Sequence, residues 1–404
     1  MQKLRLAGLL AMLSLLATVL LAACGDSTAT TAPATTAAVA ATAVKATTAP
    51  AAAATTAAPA ATTAPAAATT AAVAATTAAT VATTAPAAGP KLKVGMVTDI
   101  GRIDDKSFNQ ASWEGVQQAQ KELGVDIKYI ETKDTKDYAK NIKQFVDEKY
   151  DVIVTVGFLI GDTTTDAAKA NPSIKFIGVD QFQAASAPNL AGLIFDEDKS
   201  GFLAGALAAG MSKSGKLAAV LGTKSVPPVV KFGEGYKAGA GYLFDTSPKL
   251  VPSAKKPEVT LTYHPDGDNA FNDPAWGAQQ AQSLIQAGHD IVFGGGGNTG
   301  NGAVEAGAEK GVYVIGVDTD QYLTLPKAAP KMLSSATKVL SKGVFGLIKD
   351  AQGGKLKGGN NVGDSGLAPF HDTESAIPAE LKDMLKKIDA GLKDGSIKTG
   401  VKVG

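Results

Sequence analysis

The sequence predicts a two-lobed α/β protein with parallel sheets, and three observations carry that reading. Beyond residue 90, short apolar runs alternate with amphipathic stretches in the order strand, helix, strand, helix. The alternation runs twice, and in each half a strand closes on Gly-Val-Asp, at Gly178-Val179-Asp180 and again at Gly316-Val317-Asp318. The stretch after residue 90 is also long enough for two lobes of ordinary size. Strands buried on both faces read as unbroken apolar runs, and right-handed crossovers between parallel strands lay helices on both faces of the sheet.

The first segment, residues 1–23, reads as a signal peptide rather than part of the fold. Lys3 and Arg5 precede an apolar stretch over 6–20, and Leu21-Ala22-Ala23-Cys24 follows. A permanent span needs roughly 20 apolar residues, so the segment is marginal as one. Cys24 is the only cysteine, which rules out an internal disulfide and makes an unmodified thiol an odd cargo for export. Leu-Ala-Ala-Cys resembles the bacterial lipobox. Cys24 is therefore expected to be the lipidated N-terminus of an extracytoplasmic protein anchored to the membrane.

Residues 24–90 hold that cysteine and an almost pure Ala/Thr/Pro tract. Ala favours helix, but the paired Thr and recurrent Pro oppose it, and little large apolar surface is present to offset the entropy of ordering. A disordered tether is expected, with a reach of roughly 40–50 Å as a flexible coil.

In the folded part, strands are expected at 93–98, 127–130, 152–156 and 176–179, with helices at 109–123 and 138–147 and a short one before the fourth strand. The second series has strands at 217–221, 259–263, 291–293 and 314–317. A loop-rich stretch covers 353–378, and a helix over 378–392 begins on Pro378. Lobe 1 is expected to comprise 91–196 and 319–345, and lobe 2 to comprise 197–318 and 346–404, with crossovers near Phe195 and Asp318. Setting aside Lys3, Arg5, Lys45 and Asp26 from totals of 39 basic and 38 acidic residues leaves 36 against 37. That balance supplies no field for nucleic acid.

Ligands of open parallel sheets bind beyond the carboxyl ends of the strands. Those ends carry Asp99, Gly157, Asp180, Gly294 and Asp318. Three carboxylates point to a ligand rich in hydroxyls or amines, although aspartate after a strand also suits turns and helix starts. Between Asp99 and Gln110, either Ser107 or Asp105 is placed to cap the following helix. Phe108 is a stacking platform in a cleft or a hydrophobic staple at the helix entry.

These residues resemble the basic membrane protein family of substrate-binding lipoproteins. The matching motifs are Asp99-x-Gly101 with Asp104 to Gln110, Ile177-Gly178-Val179-Asp180, Val226-Pro227-Pro228-Val229 with Phe232 and Gly235-Tyr236, Phe271-Asn272-Asp273-Pro274, Ile315 to Gln321, and Ser334-Ser335-Ala336-Thr337-Lys338. The resemblance implies a type I periplasmic-binding-protein fold, two hinged Rossmann-like lobes with parallel sheets, serving the permease and ATPase subunits of an ABC importer. It also implies a purine base between aromatics, with carboxylates and a lysine on the ribose, in a monomer without a cofactor. Phe108 matches the first aromatic, and Phe271 is the choice for the second, with Trp276 as its competitor. Asp99, Asn109 and Asp180 match positions around base and ribose, and Asp318 and Lys338 match a ribose-side pair. Gly297 falls in a glycine run, 294–302, that is longer than the family commonly shows, which leaves the sugar contacts open. Pyrimidine nucleosides, a sugar or an autoinducer-like molecule remain alternatives to a purine nucleoside.

Two motifs imitate enzymes. Gly295-x-Gly297-x-x-Gly300, with Asp318 further on, has dinucleotide-binding spacing, but it lies late in a glycine-rich chain. Ser335-x-x-Lys338 with Lys398-Thr399-Gly400 resembles penicillin-recognising serine hydrolases, without the intervening Ser-Asp-Asn. His264, His289 and His371 are scattered and lack ligand spacing, so no metal site is expected. A binding protein rather than an enzyme is the reading that absorbs the strand-end carboxylates, which a purely structural adhesin would leave without a role.

Overall fold

The computed structural model describes residues 91–185 and 187–403, so the expected signal peptide, Cys24 and the linker lie outside the described residues. The chain first lays down β1 (Lys93–Thr98), α1 (Phe108–Leu123), β2 (Asp126–Ile130), α2 (Tyr138–Asp147), β3 (Val152–Val156), α3 (Gly161–Ala170), β4 (Lys175–Val179) and β5 (Leu190–Ile194). It then crosses to a second sheet through α4 (Glu197–Met211), β6 (Lys216–Thr223), α5 (Pro227–Thr246), β7 (Glu258–His264) and α6 (Pro274–Gln286). The second series continues with β8 (Ile291–Gly295), α7 (Gly297–Glu309), β9 (Tyr313–Asp318), α8 (Gln321–Thr324) and β10 (Met332–Lys338). Next come α9 (Leu340–Gln352) and β11 (Gly359–Val362) on the first lobe, then β12 (Ser365–Leu367) and α10 (Ala379–Asp394) on the second. Among the described residues no helix is long and apolar enough to cross a membrane.

Each lobe holds a six-stranded sheet, ordered β2-β1-β3-β4-β5-β11 in the first and β7-β6-β8-β9-β10-β12 in the second. The two orders correspond strand for strand, so the doubled Gly-Val-Asp marks equivalent strands, β4 and β9. All pairings are parallel except β10 with β12. Alternation along β6 shows how the sheets are covered on both faces: Leu217, Ala219 and Leu221 enter a core with α4, α5 and α10, while Ala218 and Val220 face α6 and α7. The first sheet likewise packs on α1 and α9 on one side and on α2 and α3 on the other.

Helices α4 and α5 approach closely enough for backbone to touch backbone. A Cβ on Gly205 would lie 1.8 Å from the Tyr236 carbonyl oxygen, and one on Gly239 would lie 1.8 Å from that of Phe202. Only glycine permits that approach, and it sets the start of α4 beside the first turns of α5.

The expected lobe boundaries need correction. Residues 319–338 stay in the second lobe because β10 runs alongside β9, with Ser335 opposite Gly316 and Ala336 opposite Val317. The crossing falls at Val339, after which α9 packs on α1. The stretch 346–362 belongs to the first lobe, since β11 extends the sheet beside β5, and the chain re-enters the second lobe only after Gly363. The sequence reading missed β10 because Met-Leu-Ser-Ser-Ala-Thr-Lys contains no apolar run, yet six of its seven residues are buried. It missed β5 and β11 as well, and β11 lies in the stretch expected to be loop.

Candidate functional site

The carboxyl ends of both sheets face a cavity between the lobes. All eight residues singled out as ligand contacts lie on its wall: Asp99, Phe108, Asn109, Asp180, Phe271, Gly297, Asp318 and Lys338. Each follows or ends a strand, or sits at the helix start just beyond one.

On the first lobe, the segment after β1 is organised by Asp105. Its carboxylate accepts from the backbone N–H groups of Ser107 (3.0 Å), Asn109 (2.9 Å) and Gln110 (3.0 Å), so Asp105 rather than Ser107 caps α1. It also accepts from Asn109 Nδ2 at 3.1 Å. That bond fixes the amide orientation and leaves Asn109 Oδ1 buried without a partner. Asp99 lies across Gly157, where a Cβ would come 1.7 Å from the Asp99 carboxylate. At the end of β4, Asp180 adopts a left-handed backbone (φ 59°), as does Asp318 at the end of β9 (φ 66°). Such φ values are uncommon outside glycine and recur here at equivalent places.

On the second lobe, Phe271 rests on a bed of glycine. A Cβ on Gly222 would lie 2.4 Å from its ring, and one on Gly297 would lie 2.9 Å from its carbonyl oxygen. Trp276 meets His264 edge-on at 4.6 Å and packs against the apolar layer under α6 and α7. It is not on the cavity wall, where Phe271 lies with Phe108, Phe158 and Phe232.

Lys338 is the ammonium of the site and is 4% exposed. It bonds to Asp180 of the first lobe and lies 3.5 Å from Glu197 at the start of α4. The rings of Phe108, Phe232 and Phe195 surround it at 5.0, 5.4 and 5.7 Å, within cation–π range. The expected direct pair of Asp318 with Lys338 is not formed; Asp318 instead accepts from Ser107 Oγ at 2.7 Å.

Burial dominates the electrostatics. It lifts Asp99 to about 8, with the negative charges of Asp180 and Asp105 adding to the effect. Burial likewise lifts Asp105 to about 6 against its backbone hydrogen bonds, and Asp180 to about 7 against the pull of Lys338. Asp318 is raised by burial too, although Lys338 and Ser107 oppose the shift. Burial alone would lower the Lys338 ammonium, but Asp180, Glu197 and Asp318 together hold it above the usual lysine range.

Further hydrogen bonds join the lobes at the cleft edge. Lys106, in a left-handed conformation (φ 56°), offers its carbonyl to Gln321 Nε2 (3.2 Å) and Thr324 Oγ1 (2.9 Å), and Asn301 donates to the Asp105 carbonyl at 2.7 Å.

Neither enzyme-like motif assembles a dyad. Ser335 and Lys338 are three residues apart on one strand and so point to opposite faces; Ser335 Oγ accepts from the Gln321 backbone instead. The histidines are engaged separately, His264 with Asp273, His289 with Thr260 and His371 with Asp320. Glu197, Phe158 and Phe232 were not anticipated as part of the site. For Glu197 the signal was present: it is the second of two carboxylates, after Asp196, that follow the apolar run Leu190 to Phe195 at the unrecognised end of β5.

Comparison with known proteins agrees with this architecture. A nucleoside-binding protein of an ABC transporter from Lactococcus lactis is 30% identical over 329 residues, covering 76% of this chain and 88% of its own. An uncharacterized lipoprotein of Pyrococcus horikoshii is 31% identical, with 67% and 66% covered. Among solved structures, an ABC transporter solute-binding protein from Aeropyrum pernix superposes with a TM-score of 0.68 at 24% identity, over 76% of this chain and 92% of that one. One from Conexibacter woesei superposes at 0.59 and 20% identity, over 76% and 98%. Residues 92–363 match the Bmp family, described as ABC transporter substrate-binding protein, PnrA-like, and the chain belongs to that family.

Proposed function

We propose that this chain captures a purine nucleoside between its lobes, with the base between Phe108 and Phe271 and the ribose against Asp180, Asp318 and Lys338. As a Bmp-type solute-binding protein it takes a small ligand for the permease and ATPase subunits of an ABC transporter. Its relatives are solute-binding proteins, and the chain is read as a binder without catalysis, held outside the cytoplasm by a lipid on Cys24 and acting as a monomer.

The observation that carries the nucleoside reading is one pairing in one cavity. Phe108 and Phe271 line it with Phe158 and Phe232, together with buried acceptor oxygens that lack a partner, Asn109 Oδ1 and Asp180 Oδ1. A planar heterocycle with N–H donors and vicinal hydroxyls satisfies both kinds of wall. An aromatic stack adds about 0.5–1.5 kcal/mol beyond area burial, and hydrogen bonds to charged groups about 1.5–3 kcal/mol each. The name of the Lactococcus lactis relative supports the same class.

Calorimetry with inosine, guanosine, cytidine, ribose and glucose tests the reading. Inosine and guanosine are expected to bind most tightly, and Asp318→Asn to penalise them more than their 2′,3′-dideoxy analogues. Binding of a free sugar with indifference to nucleosides would overturn it. The anchor is tested separately by Cys24→Ser, which should lose membrane retention or signal processing; normal behaviour would refute it.

A further inference from the structure

Glu197 has no task in the ligand reading, yet it is 1% exposed and lies beside Lys338, the one lysine lining the cleft among the described residues. Its Oε1 is 3.5 Å from Lys338 Nζ, and its Oε2 accepts from Lys231 Nζ at 3.1 Å. Lys231 sits on α5, and the glycine contact between α4 and α5 holds the two helices in register at this point. The result is a row of alternating charge, Lys231, Glu197, Lys338, Asp180, running from a partly exposed ammonium to the first lobe. Its final link is the only one that crosses between the lobes.

When the lobes part, Asp180 leaves with the first sheet, as do Phe108 and Phe195, and Lys338 keeps only the Phe232 ring of α5 beside it. A buried ammonium stripped of every partner is strongly disfavoured, and Glu197 is the partner that remains. When the lobes close, Asp180 and Glu197 compete for one ammonium while repelling each other, and Asp318 adds a third negative charge. Burial lifts the Asp180 carboxyl, and Glu197 and Asp318 add to that shift against the pull of Lys338.

We propose that Glu197 is a positioning residue that keeps the Lys338 ammonium on the second lobe. With Lys231 as its counter-charge, it also sets how strongly the Lys338–Asp180 bond draws the lobes together. Glutamine at 197 would keep the shape and remove the competing charge, so Lys338 would fall wholly to Asp180. Loss of Lys231 would do the reverse, leaving the whole Glu197 charge to Lys338.

Hydrogen–deuterium exchange on the full chain, without added solute, reads this directly. The segments to follow are 104–110 and 318–325, which bond to one another across the cleft. Glu197→Gln is expected to slow their exchange about fivefold or more, while Lys231→Met speeds it. A merely structural Glu197 gives the opposite sign in Glu197→Gln, because loss of a buried bond loosens the region. Unchanged or faster exchange in Glu197→Gln, or unchanged exchange in Lys231→Met, overturns the proposal. If Glu197→Gln does not fold, Lys231→Met decides alone, since its partly exposed ammonium can be removed without emptying a core site. The readout needs no nucleoside, so it stands or falls apart from the ligand assignment.

Discussion

The two lobes share a strand order and bring different chemistry to the cleft. The first contributes carboxylates, Asp99, Asp105 and Asp180, with the Asn109 amide; the second contributes glycines, Phe271, Asp318 and the one ammonium, Lys338. The contrast is sharpest at the equivalent aspartates. Asp180 and Asp318 end equivalent strands in the same left-handed conformation, and a glutamine one residue beyond the first and three beyond the second folds back. Gln181 donates to the Gly157 carbonyl within its own lobe at 3.0 Å, whereas Gln321 reaches Lys106 of the other lobe. Asp180 meets an ammonium and Asp318 a hydroxyl. A repeated backbone thus supplies two matching carboxylates, and the opposing lobe decides what each one does.

Removing the ammonium should break that contrast most severely. Lys338→Met leaves Asp180, Glu197 and Asp318 facing one another without compensation, and about 3–5 kcal/mol of unfolding free energy should be lost in urea titration. A loss below about 1 kcal/mol would mean that the carboxylates manage without it. Next comes the aromatic wall: Phe108→Ala should weaken inosine binding by about 2–4 kcal/mol in calorimetry. An equal or greater loss for Phe271→Ala alone would place the main stack on the second lobe instead.

The carboxylate cluster also makes stability depend on pH. Asp99 is raised from 3.8 to about 8 and Asp180 from 3.8 to about 7 in the folded state, so the fold binds protons that the unfolded chain releases. Their contribution is full below about pH 4 and is lost as the pH rises through those folded values. Asp180 and Asp105 face Asp99, while Lys338, Glu197 and Asp318 face Asp180. The urea midpoint should therefore fall between pH 5 and 8 by less in Asp99→Asn than in the unsubstituted protein. An identical slope would show that Asp99 does not hold the proton. The smallest effect belongs to the cleft edge: Thr324→Val removes one of two donors to the Lys106 carbonyl, at a cost of about 0.5–1 kcal/mol in the same titration. A greater loss would make that edge contact a principal clasp.

The class of fold was legible because buried parallel strands announce themselves as unbroken runs such as Val152 to Val156, and because glycine and aspartate punctuate their ends. The part of the cavity-lining set at recognised strand ends, Asp99, Asp180 and Asp318, was legible for a related reason, whereas Asn109, Phe271 and Lys338 came from the family resemblance. Ligand contacts gather where strands stop, and strand ends can be read from composition alone. Periodicity failed where a strand was polar, as in β10, or where a glycine and asparagine stretch, β11, was held in a sheet by its neighbour. Those two elements carry the chain between lobes, so missing them displaced the lobe boundaries.

By itself, then, the sequence determined the two parallel sheets, the doubled Gly-Val-Asp ends and the residue types that line the cleft, all of which are local properties of spacing and hydrophobicity. Only the tertiary structure decided which charge meets which. Lys338 belongs to Asp180 and Glu197 rather than Asp318, Asp105 caps α1 in place of Ser107, and Phe271 lines the cleft where Trp276 does not. Partners separated by 158 residues, as in Lys338–Asp180, or by 218, as in Thr324–Lys106, are chosen by how two lobes face each other, and no local pattern along the chain encodes that geometry.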